Sequence, residues 1–217
     1  MIRTGLIRTG KRLFGVGATL ALAACASAPL HYYTLIAPAG SMAPSGESAG
    51  ATGSNRAPLP FELLPVSVPA QVDQPQFVVR EGGQGVALLD GERWIAPLAD
   101  EVRGALSADL ARELHSQDVS GLPANDKPLL RIKLDLRRFD SQPGGYALIE
   151  GNWSVRLLHG GGHAGALACS SRISETVGPG FDALVQGHQR AIERLAGQIA
   201  AAAYSLEAGQ VATCPAL

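Results

Sequence analysis

The sequence predicts an α+β fold: an antiparallel or mixed sheet of about six strands with two long amphipathic helices packed on one side. Three observations carry this expectation. The segments Pro97–Ser116 and Phe181–Leu206 repeat apolar residues at steps of three and four, which lays one apolar stripe along a helix. The segment Leu130–Arg137 alternates strictly between apolar and charged residues, as a strand does when one face meets the core and the other meets water. Several shorter runs rich in β-branched and aromatic residues stand between glycine and proline turn signals. Such elements bury their apolar faces by packing helices on a sheet.

In chain order, the first expected strand is His31–Ile36 (HYYTLI), short and aromatic. Residues 37–60 consist almost wholly of Ala, Pro, Gly, Ser, Thr and Asn. That composition cannot bury enough apolar surface to offset its ordering entropy, so it reads as a flexible low-complexity loop. Phe61–Pro69 (FELLPVSVP) reads as an interrupted strand whose prolines place it at a sheet edge. Gln76–Glu81 and Gly85–Asp90 form a hairpin across Gly82-Gly83. The helix Pro97–Ser116 carries Leu98, Val102, Ala105, Leu106, Leu110 and Leu114 on one side. Asp100, Glu101, Arg103, Asp109, Arg112 and Glu113 are expected on its solvated side. In the strand Leu130–Arg137, Ile132, Leu134 and Leu136 face the core. Gly145–Leu158 and Gly165–Val177 are further strands, joined by a glycine-rich turn over His159–Ala164. The last helix stacks Phe181, Leu184, Val185, His188, Ala191, Ile192, Leu195, Ile199 and Ala202 on one face.

The chain opens with Arg3, Arg8, Lys11 and Arg12, followed by the uncharged run Leu13–Ala24. As a helix that run reaches about 18 Å, against roughly 30 Å of bilayer hydrocarbon, so it has the length of a signal-peptide core. It ends in Leu22-Ala23-Ala24-Cys25, which resembles the bacterial lipobox. Residues 1–24 are therefore expected to be a removed lipoprotein signal peptide, with Cys25 lipidated at the new N-terminus. Ala26 stands where an aspartate would signal inner-membrane retention, so by resemblance the anchor goes to the outer membrane. Residues 25–217 are expected to form a single periplasmic domain. Loss of the leader takes the formal charge from −1 to −5. A mildly acidic body argues against nucleic acid and against electrostatic membrane binding, leaving the lipid as the anchor. Cys169 and Cys214 are a candidate disulfide, since exported chains sit where disulfides persist. The alternative is a buried thiol and a tail thiol.

Two motifs invite catalysis. Gly46–Gly50 reads GESAG, the nucleophile-elbow pattern, with Ser48 at its centre, and His159–Gly162 reads HGGG. An elbow needs a strand leading in and a helix leading out. Ser48 has neither, and HGGG follows it instead of preceding it, so the chain reads as no enzyme. His159 and His163 are separated by glycines in a turn, not held on one helix face, and no ligand set accompanies them, so no metal is expected. His188, Trp94 and Trp153 read as core residues. No cofactor site is evident.

The ordered set of Cys25, Tyr32-Tyr33-Thr34-Leu35, Pro65-Val66-Ser67-Val68-Pro69, Gln76–Arg80, Arg93–Leu98 and the closing LAGQIAAAA resembles the PqiC/YmbA family, the ABC-type transport auxiliary lipoproteins. Gln74 stands where the family often has arginine, and the segment 37–60 is longer than expected. The resemblance implies a non-catalytic outer-membrane subunit of an MCE-type, Pqi- or Mla-like, intermembrane phospholipid transport system. Its implied partners are an MCE-domain periplasmic protein and inner-membrane ABC or Pqi-like transporter components, with a homo-oligomer compatible. The alternative is a free-standing periplasmic lipoprotein that binds a small amphiphile or lipid between sheet and helices.

Overall fold

The computed structural model describes residues 29–38, 58–123, 127–159 and 162–215, side chains of residues 159 and 162–164 left aside. Among these, seven strands and two helices follow in the order β1 (His31–Tyr33), β2 (Phe61–Leu63), β3 (Gln76–Arg80), β4 (Val86–Trp94), α1 (Leu98–Glu113), β5 (Leu129–Gln142), β6 (Tyr146–His159), β7 (Gly162–Thr176) and α2 (Phe181–Glu207). The α+β class and both helices agree with the sequence. The strands divide between two sheets, a three-stranded one ordered β1-β4-β3 and a four-stranded one ordered β2-β5-β6-β7. Both are mixed, since β1 joins β4 and β2 joins β5 in parallel while the remaining pairs are antiparallel. Leader and Cys25 lie outside the described residues, as does most of the 37–60 loop.

Strand β5 links the two sheets, and a single extra residue makes this possible. From Leu130 to Leu136 every second residue is buried, as alternation requires. Leu136 then pairs with Gly151 and Arg138 with Glu150, so Arg137 has no partner and bulges. The bulge reverses the inside–outside order beyond it. Phe139 and Ser141 turn into the core, where unbroken alternation would have placed Arg138 and Asp140. The sequence-expected strand ends at Arg137 because its alternation breaks there; the bulge carries it on to Gln142.

Gly151 lies opposite the bulge. A Cβ there would stand 2.7 Å from the Asp135 carbonyl oxygen and 3.1 Å from Leu136 Cα, so backbone would have to move. A similar close approach sets α2 on the sheet: a Cβ at Gly187 would meet Val177 Cγ1 at 2.3 Å and Ala147 Cβ at 2.9 Å. Helix α2 lies along β6 and β7, and α1 packs on α2. Leu184, Ala191, Ile192, Leu195, Ala196 and Ile199 fill the space beneath with the inward residues Ile132, Leu134, Ile149, Trp153 and Val155.

Other boundaries shift for local reasons. The expected strand Phe61–Pro69 is regular only to Leu63, because Pro65 has no N–H to donate; contact with β5 resumes at Ser67, whose carbonyl accepts from Leu136 N at 2.9 Å. The strand expected over His31–Ile36 stops at Tyr33, since Leu35 N donates at 2.8 Å to the Glu101 carboxylate. Helix α1 ends in paired bonds from His115 N to Arg112 O and from Ser116 N to Ala111 O, with His115 at φ 48° in the left-handed position that glycine usually takes.

Replacing Gly151 with valine is expected to destabilise the fold by about 2–4 kcal/mol, because the added atoms meet backbone that cannot yield. Denaturant unfolding would show it as a lower midpoint; a midpoint equal to wild type would mean that the bulge tolerates a side chain.

Candidate functional site

The bulge brings Phe139 and Ser141 against His188, a buried histidine of α2. Phe139 stacks on the His188 ring, 3.9 Å between centroids and 9° between planes, and meets Trp94 edge-on at 6.0 Å. Phe77 lies 4.2 Å from Trp94 and 5.0 Å from Tyr33, so the aromatic cluster runs from α2 into the three-stranded sheet. Ser141 Oγ is 2.9 Å from His188 Nε2, and Nδ1 has no partner among the described residues. Donation from Nε2–H to Ser141 Oγ leaves only a lone pair unmatched, the cheaper arrangement for a neutral ring. Burial alone pulls the His188 pKa down to about 3. His188 therefore has the geometry of a neutral core residue joining two sheets to a helix.

The remaining residues singled out by sequence do not converge. Cys25 and Ser48 lie outside the described residues. His159 pairs with Gly162, and His163 with Leu158, so both sit in the ladder of a tighter hairpin than the expected turn, on two antiparallel strands. Trp94 and Trp153 are buried. Trp153 Nε1 donates to Ser171 Oγ at 2.8 Å, and Ser171 Oγ donates on to Gln198 at 2.6 Å. Cys169 and Cys214 are joined in a disulfide that fastens the tail after α2 to β7. Among the described residues no three His, Cys, Asp or Glu side chains stand together to hold a metal ion. Between α2 and the sheet, where a bound amphiphile would sit, the buried residues of both form one apolar core. A cleft of about 500 Å³ lies instead between α2 and the tail, lined by Arg194, Gln198, Ala201, Thr213 and Cys214 among others.

Glu101 is a correction to the sequence reading. Expected on the solvated side of α1, it is buried, and its carboxylate accepts from Leu35 N and from Thr34 Oγ1, each at 2.8 Å. Its place in the first turn of α1 also favours the negative charge. No local pattern signals this role, because its partners stand 66 and 67 residues upstream.

The outer face of the four-stranded sheet is polar. Lys133, Arg156 and Arg172 are exposed on it, whereas Leu148, paired with Asp140 on the same face, is buried at the end where β3 meets β5. A chain of charges crosses the face and reaches the second sheet: Arg80 lies 3.3 Å from Asp140, Asp140 also pairs with Arg138, Arg138 lies 3.8 Å from Glu150, and Arg172 lies 3.6 Å from Glu150. The Asp140 hydrogen bond holds the Arg138 pKa above its ordinary value. Lys133, Arg131 and Arg156 extend the same face, so basic groups outnumber acidic ones there, on a chain of net charge −1. Exposed pairs of this kind contribute only about 0–1 kcal/mol each, and their weight lies in the pattern offered to a partner.

A family model described as the ABC-type transport auxiliary lipoprotein component matches residues 33–200. Of solved structures, a crystal structure of an uncharacterized protein is 18% identical with a TM-score of 0.58, covering 80% of this chain and 97% of its own, which shows the fold. A Xanthomonas campestris DUF330 protein is 15% identical with a TM-score of 0.48, covering 70% and 85%. A minor lipoprotein from Acinetobacter baumannii is 15% identical with a TM-score of 0.31, covering 70% and 92%. No curated protein sequence matches the chain.

Two stability experiments follow from these contacts. The ordinary histidine pKa is 6.5, and in the fold it falls to about 3. Between those values the unfolded chain binds a proton that the folded chain does not. The contribution of neutral His188 is therefore whole above pH 6.5 and lost towards pH 3, at about 1.4 kcal/mol per pH unit. Between pH 6.5 and 4.5 a His188→Phe variant should lose about 2–3 kcal/mol less stability than wild type by denaturant titration; equal losses would disprove the assignment. The disulfide spans 45 residues, so Cys214→Ser should cost about 2–4 kcal/mol, and reductant should reproduce that loss in wild type but not in the variant.

Proposed function

The chain belongs to the ABC-type transport auxiliary lipoprotein family, and from that premise we propose that it is a non-catalytic outer-membrane lipoprotein that docks a periplasm-spanning MCE-domain protein. In this reading residues 1–24 are removed as a signal peptide, and Cys25 is acylated with palmitate-type chains. The folded unit then stands on the periplasmic face of the membrane. Inner-membrane ABC or Pqi-like components complete the system, phospholipid is the cargo, and envelope integrity is what it sustains.

The family match is the observation that carries the proposal, and the form of the molecule supports it. Among the described residues no helix is long and apolar enough to cross a membrane, which says nothing of a β-barrel. The leader pattern ending in Cys25 supplies the anchor. The exposed face bearing Lys133, Arg156 and Arg172 supplies a surface on which charge complementarity can orient a partner. Residues of α2 and the sheet form one buried apolar core, which favours a docking subunit over a free-standing amphiphile carrier.

Affinity capture of the tagged protein from detergent-solubilised envelopes is expected to recover the MCE-domain component. Reversing two charges on the open face, Lys133→Glu with Arg156→Glu, should weaken that capture about tenfold, roughly 1.4 kcal/mol, without lowering thermal stability. Recovery of no MCE or transporter component, or capture indifferent to the reversal, would refute the docking role or its location respectively.

A further inference from the structure

We infer that the outer face of the three-stranded sheet is a membrane-contact surface, lying on the bilayer that holds the anchor. The inference rests on the reading of Cys25 as the acylated residue. Its own evidence is the sheet. Tyr33, Phe77 and Trp94 join the aromatic cluster, and Ala87 and Leu89 pack on the same core, which fixes the inner face. Side chains alternate along a strand and paired residues point the same way. Tyr32, Val86, Leu88 and Ile95 therefore point outward, and they are 57, 57, 50 and 67% exposed. Ile95 N continues the ladder by donating to Tyr33 O at 2.9 Å. Four large apolar side chains on one open face are more than scattered surface residues.

The length of chain before the sheet identifies the occupant. β1 is an edge strand of this sheet and its first element. Cys25 precedes His31 by six residues, so an extended tether reaches no more than about 22 Å. The sheet is thus the part of the fold that the anchor holds against the lipid. Tyr32 is an amphipathic aromatic of the kind that settles at the headgroup level, and Arg93, paired with it across the ladder, can extend to phosphate. Residues 39–57 offer Met42 as their one large apolar side chain, too little to cover this face. Arg80, paired with Val86 on this face, is engaged by Asp140, and the exposed Glu81 and Asp90 offset Arg93, so apolar burial carries the contact and its salt dependence should be small.

The test uses the lipidated chain in phosphatidylethanolamine–phosphatidylglycerol vesicles that include phospholipid brominated near the headgroup end of its acyl chains. Leu88→Trp places an indole on the proposed surface; Lys133→Trp, on the outer face of the other sheet, is the comparison. After subtraction of the buried Trp94 and Trp153 signal, the indole at 88 should be quenched at least about twofold, as a side chain seated some 5–10 Å into the headgroup boundary would be. The indole at 133 should be unaffected, and raised salt should change either only slightly. Equal quenching at both positions, or none at 88 in protein that floats with the vesicles, overturns the inference and leaves the anchor reading intact. An indole at 88 shielded from aqueous iodide but not from lipid-borne bromine would assign the face to lipid; shielding from both would assign it to a second copy or a protein partner and overturn the inference. An unmodified N-terminal peptide, with protein that fails to float, overturns the anchor reading and the inference with it.

Discussion

One unpaired residue, Arg137, reverses which side of β5 faces inward. The first half of that strand serves the four-stranded sheet by ordinary alternation. The second half presents Phe139 and Ser141 to His188 and to the aromatic side chains of the other sheet. Had alternation continued, Arg138 and Asp140 would have needed burial, at a cost of several kcal/mol per charge unless paired. They lie outside instead, forming the middle of a charge chain that runs from Arg80 to Arg172. The core junction and the charged face therefore have a common origin. Gly151, across from the bulge, is what allows the partner strand to stay close.

Much of the fold was legible because its signals are local and periodic. The stripe of α2 and the alternation of β5 to Leu136 follow from residue spacing alone, and the hairpin between β3 and β4 follows from Gly82-Gly83. The division into two sheets was not legible, since no spacing rule says that β4 pairs with β1 across more than fifty residues. Glu101 was misplaced for the same reason. A helix wheel assigns it to water, and only Thr34 and Leu35, brought in by tertiary packing, make its burial affordable. β5 was cut short because a bulge reads, in sequence, as the end of a pattern.

The candidate surfaces were less legible than the core. Exposed apolar residues on β4 look like ordinary strand residues until the register shows Ala87 and Leu89 on one side, Val86 and Leu88 on the other. Of the motifs that stand out to the eye, GESAG lies outside the described residues, as do Gly160 and Gly161 of HGGG. The outer face of the four-stranded sheet is charged, while that of the three-stranded sheet exposes Tyr32, Val86, Leu88 and Ile95, and Arg80 joins the two through Asp140.

The Glu101 carboxylate also sets an order of assembly. Thr34 and Leu35 are held by a residue that leaves the ribosome long after them, at the head of a helix that must itself be wound before its first turn can present the acceptor. In a chain that appears from its N-terminus onward, residues 34 and 35 wait unfastened while some sixty successors follow. The contact that fastens Thr34 and Leu35 to the fold therefore closes only once the first turn of α1 is in place.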